Sequence, residues 1–213
     1  MMEYNVQNTF KPIDFSSYTS LDKRSECFMH RITLEQIFKH HITQKYVNRS
    51  GMVHAIAVAY HAFHLAKKHH ASVDAATKAG FLHDIGHHTW YTGGEWDYDL
   101  YKKNDIHAIK GAERAHKLLI RLGEHPKLAK EISIAILLHT DSFLVEQEIE
   151  RTSLQSIIKW ADEADEEPGG AHHYRTISYE KALKAIQQLD RLVERELQIE
   201  QAKLNNKAEH SYQ

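Results

Sequence analysis

Residues 79–88 read AGFLHDIGHH. The stretch closes a run in which Ser72 can cap a helix carrying Ala75, Ala76, Ala79, Phe81 and Leu82 and stopping at Gly86. Two ionisable residues, His83 and Asp84, therefore fall at the end of a helix made of small and apolar side chains. The dipeptide alone means little: 18 His and 11 Asp in 213 residues yield about one His-Asp pair by composition. Its setting is what informs, because buried ionisable groups need a partner. The carboxyl end of a helix carries partial negative charge, so a cation is one good partner there.

Outward from this turn, apolar residues recur at three- and four-residue spacing and period-two alternation is scarce, which predicts an all-α chain. Thr33 can cap a helix carrying Leu34, Ile37, Phe38, Ile42 and Tyr46. Gly51 precedes a helix over about 52–69, apolar nearly all round, as a central buried helix is. Residues 86–106 form a long connection with a Gly93-Gly94 pair, and loops of that length tend to serve function. Asp105 can cap a helix from 107 to Leu122 that ends at Gly123, and Pro126 opens the next, leading to His139. Further helices are predicted over 153–165 and 178–200. The expected organisation is an N-terminal extension (1–32), a helical domain (33–200, with its core at about 50–166) and a frayed polar tail (201–213).

Composition bounds the rest. Hydrophobic residues make up 42% and charged residues 26%, the mix of an ordinary globular chain. One cysteine, Cys27, excludes a disulfide framework and a cysteine-based zinc site within the chain, and makes reducing cytoplasm the expected compartment. No apolar run has membrane-spanning length, and the N-terminus lacks a signal-peptide layout. A net charge of −2 without a basic block argues against duplex nucleic acid as a partner, but not against a nucleotide substrate.

Five helices each place a polar group where core is expected. His54 heads a stripe with Val58 and Leu65; His107 shares a face with Gly111 and Ala115, and Gly111 permits close helix approach; His139 continues Ile132 and Ile136; Asp162 continues Leu154, Ile158 and Ala161; His83-Asp84 ends the fifth. One such histidine is most simply a satisfied core residue. Together they offer four imidazoles and two carboxylates, enough for one divalent ion or a pair. Nitrogen and oxygen donors without thiolate favour Fe, Mn, Co, Ni or Mg over structural zinc. Two ions about 3.5–4 Å apart can activate water and neutralise a phosphoryl group, and Asp84 has two oxygens with which to bridge them.

The stretches MVHAIAVAYHAFHLA, AGFLHDIGHH, IHAIKGAERA, AILLHTD and IIKWADEAD, spanning about 50–166, resemble the HD-domain superfamily of metal-dependent phosphohydrolases. The 29-residue step from His54 to His83 and the H-A-x-x-G-A and H-T elements are most similar to the bacterial enzymes that split diadenosine tetraphosphate symmetrically. That resemblance implies an HD-type helical bundle with a five-helix core. It also implies a binuclear centre on His54, His83, Asp84, His107, His139 and Asp162, and hydrolysis of a small phosphorylated metabolite, with a nucleotide expected. The chain departs from the subgroup in its HDIGHH ending, in the longer gap from His139 to Asp162, and in a longer aromatic loop, so the substrate stays open.

Other residues are candidates for the chemistry around the ions. His87 directly follows the HD turn and is a candidate catalytic acid or partner of a ligand, as is His88. Lys110, one turn after His107, can reach a phosphate, and Arg175 can clamp one through two N–H donors; solvated side chains are the plain alternative for both. Trp96, in the aromatic loop with Lys102 and Lys103 nearby, can stack on a base or sugar or simply pack the loop. His61, two turns beyond His54, reads as a core histidine. Two rival functions use the same residues: a di-iron oxygenase cleaving a C–C or C–P bond, and a non-catalytic metal-bound sensor. A homodimer is compatible with the sequence but not required by it.

Overall fold

In the computed structural model, residues 31–88, 91–141, 149–166 and 175–210 are described. The chain divides into two units, Met1–His30 and Arg31–Gln213, and the fold is that of the second. Among the described residues it is all-α apart from one small hairpin: α1 (Leu34–Lys39), α2 (His41–Ser50), α3 (Met52–Lys68), α4 (Val73–Leu82), β1 (Tyr91–Thr92), β2 (Glu95–Trp96), α5 (Tyr98–Lys103), α6 (His107–Leu122), α7 (Pro126–Leu137), α8 (Ser153–Glu163) and α9 (Tyr179–His210).

The centre is the α3–α4 pair. Its interface is built from alanines, Ala55, Ala59, Ala62 and Ala66 on α3 and Ala76 and Ala79 on α4, all of them buried. Gly80 completes it: a Cβ there would stand 3.0 Å from the Ala62 Cβ and from the Val58 carbonyl oxygen. Small side chains let the two backbones approach, and every residue of α4 is buried. Helices α6 and α7 pack as a second pair that meets α4 through α7, while α8 lies across α3 and α4. Helix α9 covers α1, α3 and α4, burying Ala182, Ile186, Leu189 and Val193. Asp190 of α9 accepts the Leu34 and Glu35 backbone N–H groups, each at 2.8 Å, which answers two otherwise unpaired donors at the start of α1.

Three elements differ from expectation. The single helix predicted from Thr33 is two. At His40 the backbone is extended (φ −69°, ψ 135°), and the His40 ring accepts the Ile42 N–H to start α2. The side chain of Gln44 donates to the Phe38 carbonyl (2.6 Å), so the break leaves little unsatisfied. The long connection folds locally: Gly93 and Gly94, both with positive φ (64° and 92°), turn a hairpin pairing Tyr91 with Trp96, and Asp97 caps α5 by accepting the Leu100 N–H at 2.8 Å. The polar stretch after 200 stays helical through His210, since Gln, Ala, Lys and Glu favour the helix and side chains pair at i,i+4 (Gln201 to Asn205, 3.0 Å).

No helix among the described residues is long and apolar enough to cross a membrane. A cavity of about 690 Å³ lies between α3 and α9, lined by Ile56, Tyr60, His61, Leu189, Leu192 and Arg195. His61 thus belongs to this groove rather than to the core.

Candidate metal centre

The six candidate ligands come from five helices and converge. His54 is on α3; His83 and Asp84 follow the last residue of α4; His107 is the first residue of α6; His139 lies two residues past α7; Asp162 is in the last turn of α8. The turn carrying His83-Asp84 is pressed against α6. A Cβ on Gly86 would overlap the His107 carbonyl oxygen and the Gly111 nitrogen, so glycine is required there, and Gly111 grants the close approach expected of it. Arg114 fixes the turn from the other side, donating to the Ile85 carbonyl while its guanidinium lies 3.6 Å from the centre of the Tyr46 ring.

The Nδ1 atom of each imidazole is engaged away from the centre. The Nδ1–H of His83 donates to the Gly80 carbonyl (2.8 Å) and that of His139 to the Ile136 carbonyl (2.6 Å), using carbonyls of the last turns of α4 and α7. The Nδ1–H of His54 donates to Asp165 (2.8 Å) and that of His107 to Asp105 (2.7 Å). All four partners are oxygens that only accept, so the ring proton sits on Nδ1 and each Nε2 presents a lone pair inward.

In the neutral rings those lone pairs face one another across the centre. The Nε2 atoms of His54 and His83 are 3.1 Å apart, as are those of His107 and His139. Asp84 divides its oxygens between the two pairs: Oδ2 lies 3.8 Å from His54 and 3.4 Å from His83, and Oδ1 lies 3.6 Å from His107 and 3.7 Å from His139. Asp162 adds Oδ1 at 3.1 Å from His54 and 3.3 Å from His83, with Oδ2 at 4.0 Å from His139. Three overlapping sets have the spacing to hold a cation: His54-His83-Asp84, His83-His139-Asp162 and Asp84-His107-His139. Such a donor set suits a divalent ion of hard or borderline character.

The electrostatics are those of a buried acceptor cluster. Burial works against charge on His83, but the carboxylates of Asp84 and Asp162 prevail and hold it well above the ordinary histidine range. Burial likewise opposes ionisation of Asp84, yet His83 and His87 beside it keep its carboxyl well below the usual range. Asp162 is lowered in the same way, by His83 and His54 against its burial. His139, desolvated and facing His83 and His107, is pushed down to about 4 and stays neutral. The open side is marked by the Asp162 side chain, 29% exposed, and His87, 19% exposed; the other ligands are buried.

The remaining candidates fall around this opening. His87 donates to Asp84 Oδ1 (Nε2 at 3.1 Å) and stacks on the His107 ring (4.4 Å between centres, 18°). Lys110 donates to Nε2 of His88 at 2.6 Å, the His88 Nδ1–H being spent on the Gly86 carbonyl. Arg175 turns onto Asp165, the carboxylate behind His54. The Trp96 side chain lies outside the described residues. Lys102 stands over the Tyr98 ring, 4.7 Å from its centre.

Three residues were not foreseen in these roles. Asp105 reads as a helix cap and does accept the His107 N–H (2.9 Å), but it also holds the His107 ring. Asp165 stands one helical turn from Asp162, and that spacing is the signal that could have found it. Tyr101, on α5, brings its hydroxyl to 3.4 Å from His87 Nε2 and 3.3 Å from His107 Nδ1.

The family described as "HD domain" matches residues 51–167, a span that holds all six candidate ligands. A protein of Bacillus subtilis (strain 168) named "Putative phosphohydrolase YueE" is 62% identical over 166 residues, covering 78% of this chain and 94% of that protein. No solved structure matches the chain.

Proposed function

The chain belongs to the HD-domain family and is a phosphohydrolase of the HD type; we propose that it works through a pair of divalent ions on a small phosphorylated metabolite, a nucleotide first among them. The observation that carries the metal reading is the orientation of four imidazoles, each with Nδ1 tied to an outer oxygen and Nε2 aimed inward. Ligand histidines are held this way by their outer partners. The reading of two ions is supported by Asp84, whose Oδ2 faces His54 and His83 while Oδ1 faces His107 and His139. Fe, Mn, Co, Ni and Mg are the candidate ions.

Bound there, such a pair supplies an activated water and neutralises charge on the phosphoryl oxygens. The chain's own residues do the rest. Asp84 and Asp162 hold negative charge at the centre, and Asp105 and Asp165 fix the rings of His107 and His54. Arg175 serves the site through Asp165. His87 keeps a proton on Nε2 at the open side, where a leaving oxygen needs one. Lys110, half-buried and held by His88, is the proposed contact for a phosphate, and Trp96 is the proposed stacking surface for a base. Reducing cytoplasm is the proposed compartment, and a homodimer is left to direct measurement.

The test is metal analysis of the purified protein followed by a phosphate-release screen over nucleotides with each candidate ion, diadenosine tetraphosphate being the first to try. Turnover that survives without oxygen in Mn or Mg, and disappears in Asp84→Ala with the fold intact, is the expected result. A screen blank across every ion contradicts the reading, and turnover that requires oxygen replaces it with an oxygenase.

A further inference from the structure

The backbone of His87 is tied into the turn after α4, its N–H donating to the Asp84 carbonyl at 3.0 Å, but this bond does not set the orientation of the ring. The residue stands in irregular chain, so its ring orientation depends on what packs against it. His107 forms one contact, and that ring is fixed by α6 and by Asp105. The other contact comes from a different part of the chain. The Tyr101 ring lies nearly parallel to His87 (16°, 5.3 Å between centres), with its hydroxyl beside the ring nitrogens of His87 and His107. Tyr101 is delivered by α5, which Asp97 caps and which ends two residues before Asp105.

We propose that Tyr101 is a positioning residue that holds the His87 imidazole against Asp84, so that the α5 segment, lying outside the five ligand-bearing helices, completes the reaction site. The proposal rests on the phosphohydrolase reading for its consequence in turnover, but not for its geometry. Ring stacking contributes about 0.5–1.5 kcal/mol between aromatic neighbours, enough to select one ring orientation over a freely rotating one. Without Tyr101 the His87 ring loses one of its two stacking partners among the described residues, and its Nε2–H leaves Asp84 for part of the time. The His107 ring, which the Tyr101 hydroxyl also touches, keeps its orientation through Asp105, so the ligand set is expected to hold in the variant.

The experiment uses the full chain loaded with Mn, bis(4-nitrophenyl) phosphate as probe, and the variants Tyr101→Phe, Tyr101→Ala, His87→Ala and the double Tyr101→Ala/His87→Ala. Tyr101→Ala lowers kcat roughly tenfold, a part of what a proton-transferring side chain contributes, with KM within about twofold and bound metal unchanged. Tyr101→Phe, which keeps the ring, recovers most of the loss. The double variant is no slower than His87→Ala alone, since two residues acting as a unit are not additive. A double variant that adds the two losses, or a loss that tracks metal content, overturns the proposal. Histidine-labelled NMR gives a reading independent of turnover: the His87 ring resonances move and broaden in Tyr101→Ala and not in Tyr101→Phe. Unmoved resonances in Tyr101→Ala overturn the proposal whether or not the probe is hydrolysed, whereas absent hydrolysis in the wild type bears on the phosphohydrolase reading alone.

Discussion

Midway along α4, Lys78 is buried between Asp74 (2.6 Å) and Glu124 (2.5 Å), and Asp74 is also bound by Arg31 (2.8 Å). At the far end of the same helix, His83 and Asp84 meet three other buried imidazoles and a second, half-buried carboxylate. The two clusters differ in what closes them. Around Lys78 each anion faces a cation of the chain itself, and Arg31 extends the network to Asp190 and Glu194 on α9. Around His83 the outward nitrogens are satisfied, while inward the Nε2 atoms of the neutral rings and the carboxylate oxygens accept. Burial of polar groups is common to both. The imbalance of donors and acceptors is what separates a site from a strut.

The largest expected effect is at the unbalanced end. Asp84→Ala removes the carboxylate shared by both halves, and turnover falls by at least roughly 10⁴-fold, about 5.5 kcal/mol in transition-state terms. Elemental analysis checks the cause, since bound metal is lost with it while far-ultraviolet dichroism stays helical. Retained metal and activity would break the comparison.

Next comes the balanced end. Lys78→Met strands Glu124 in the interior, leaves Asp74 to Arg31 alone among the described residues, and costs about 3–5 kcal/mol of stability, read by urea denaturation. The folded fraction still binds metal with wild-type stoichiometry. Replacing all three charges by apolar residues of similar volume restores the stability, since a closed buried network contributes little over good packing. A metal site that weakens in step with Lys78→Met would mean the two clusters are coupled through α4.

Smaller effects sharpen the contrast. Asp165→Asn and Asp105→Asn leave all six ligands in place but loosen the rings of His54 and His107, and metal affinity drops about 10- to 100-fold by competition with a chelator. The gentlest probe is pH. His83 is raised by Asp84 and Asp162 against its burial, and His107 by Asp105 and Asp84 against its own. Without metal both therefore take a proton while the solution is still above the ordinary value of 6.5. Ligation needs a bare Nε2, so metal affinity begins to fall as pH drops through those raised values, sooner than for a free imidazole. Affinity flat down to pH 6 would contradict the assigned neighbours.

That the six candidate ligands face inward was legible in the sequence because helical periodicity assigns faces. His54, His107, His139 and Asp162 each stand on a stripe of apolar residues, and the HD turn ends a helix of small ones. Lys78 was not legible. Its stripe predicts a solvated lysine or a fault in the core, and its partner Glu124 lies 46 residues away, joined only by the fold. The split at His40 and the short α5 escaped for a related reason: one side-chain cap sets each, and a six-residue helix leaves too few turns for a pattern. Asp165 acts by touching His54, and only its spacing from Asp162 hinted at it; Tyr101 acts by touching His87, which coordinates alone reveal.

Anomalous diffraction from a crystal of the full chain grown with Mn tests the central claim most directly. Two peaks are predicted about 3.5–4 Å apart, one among His54, His83, Asp84 and Asp162, the other among Asp84, His107 and His139, with Asp84 touching both. Manganese bound elsewhere, or four imidazoles joined by protons with no ion among them, would contradict it.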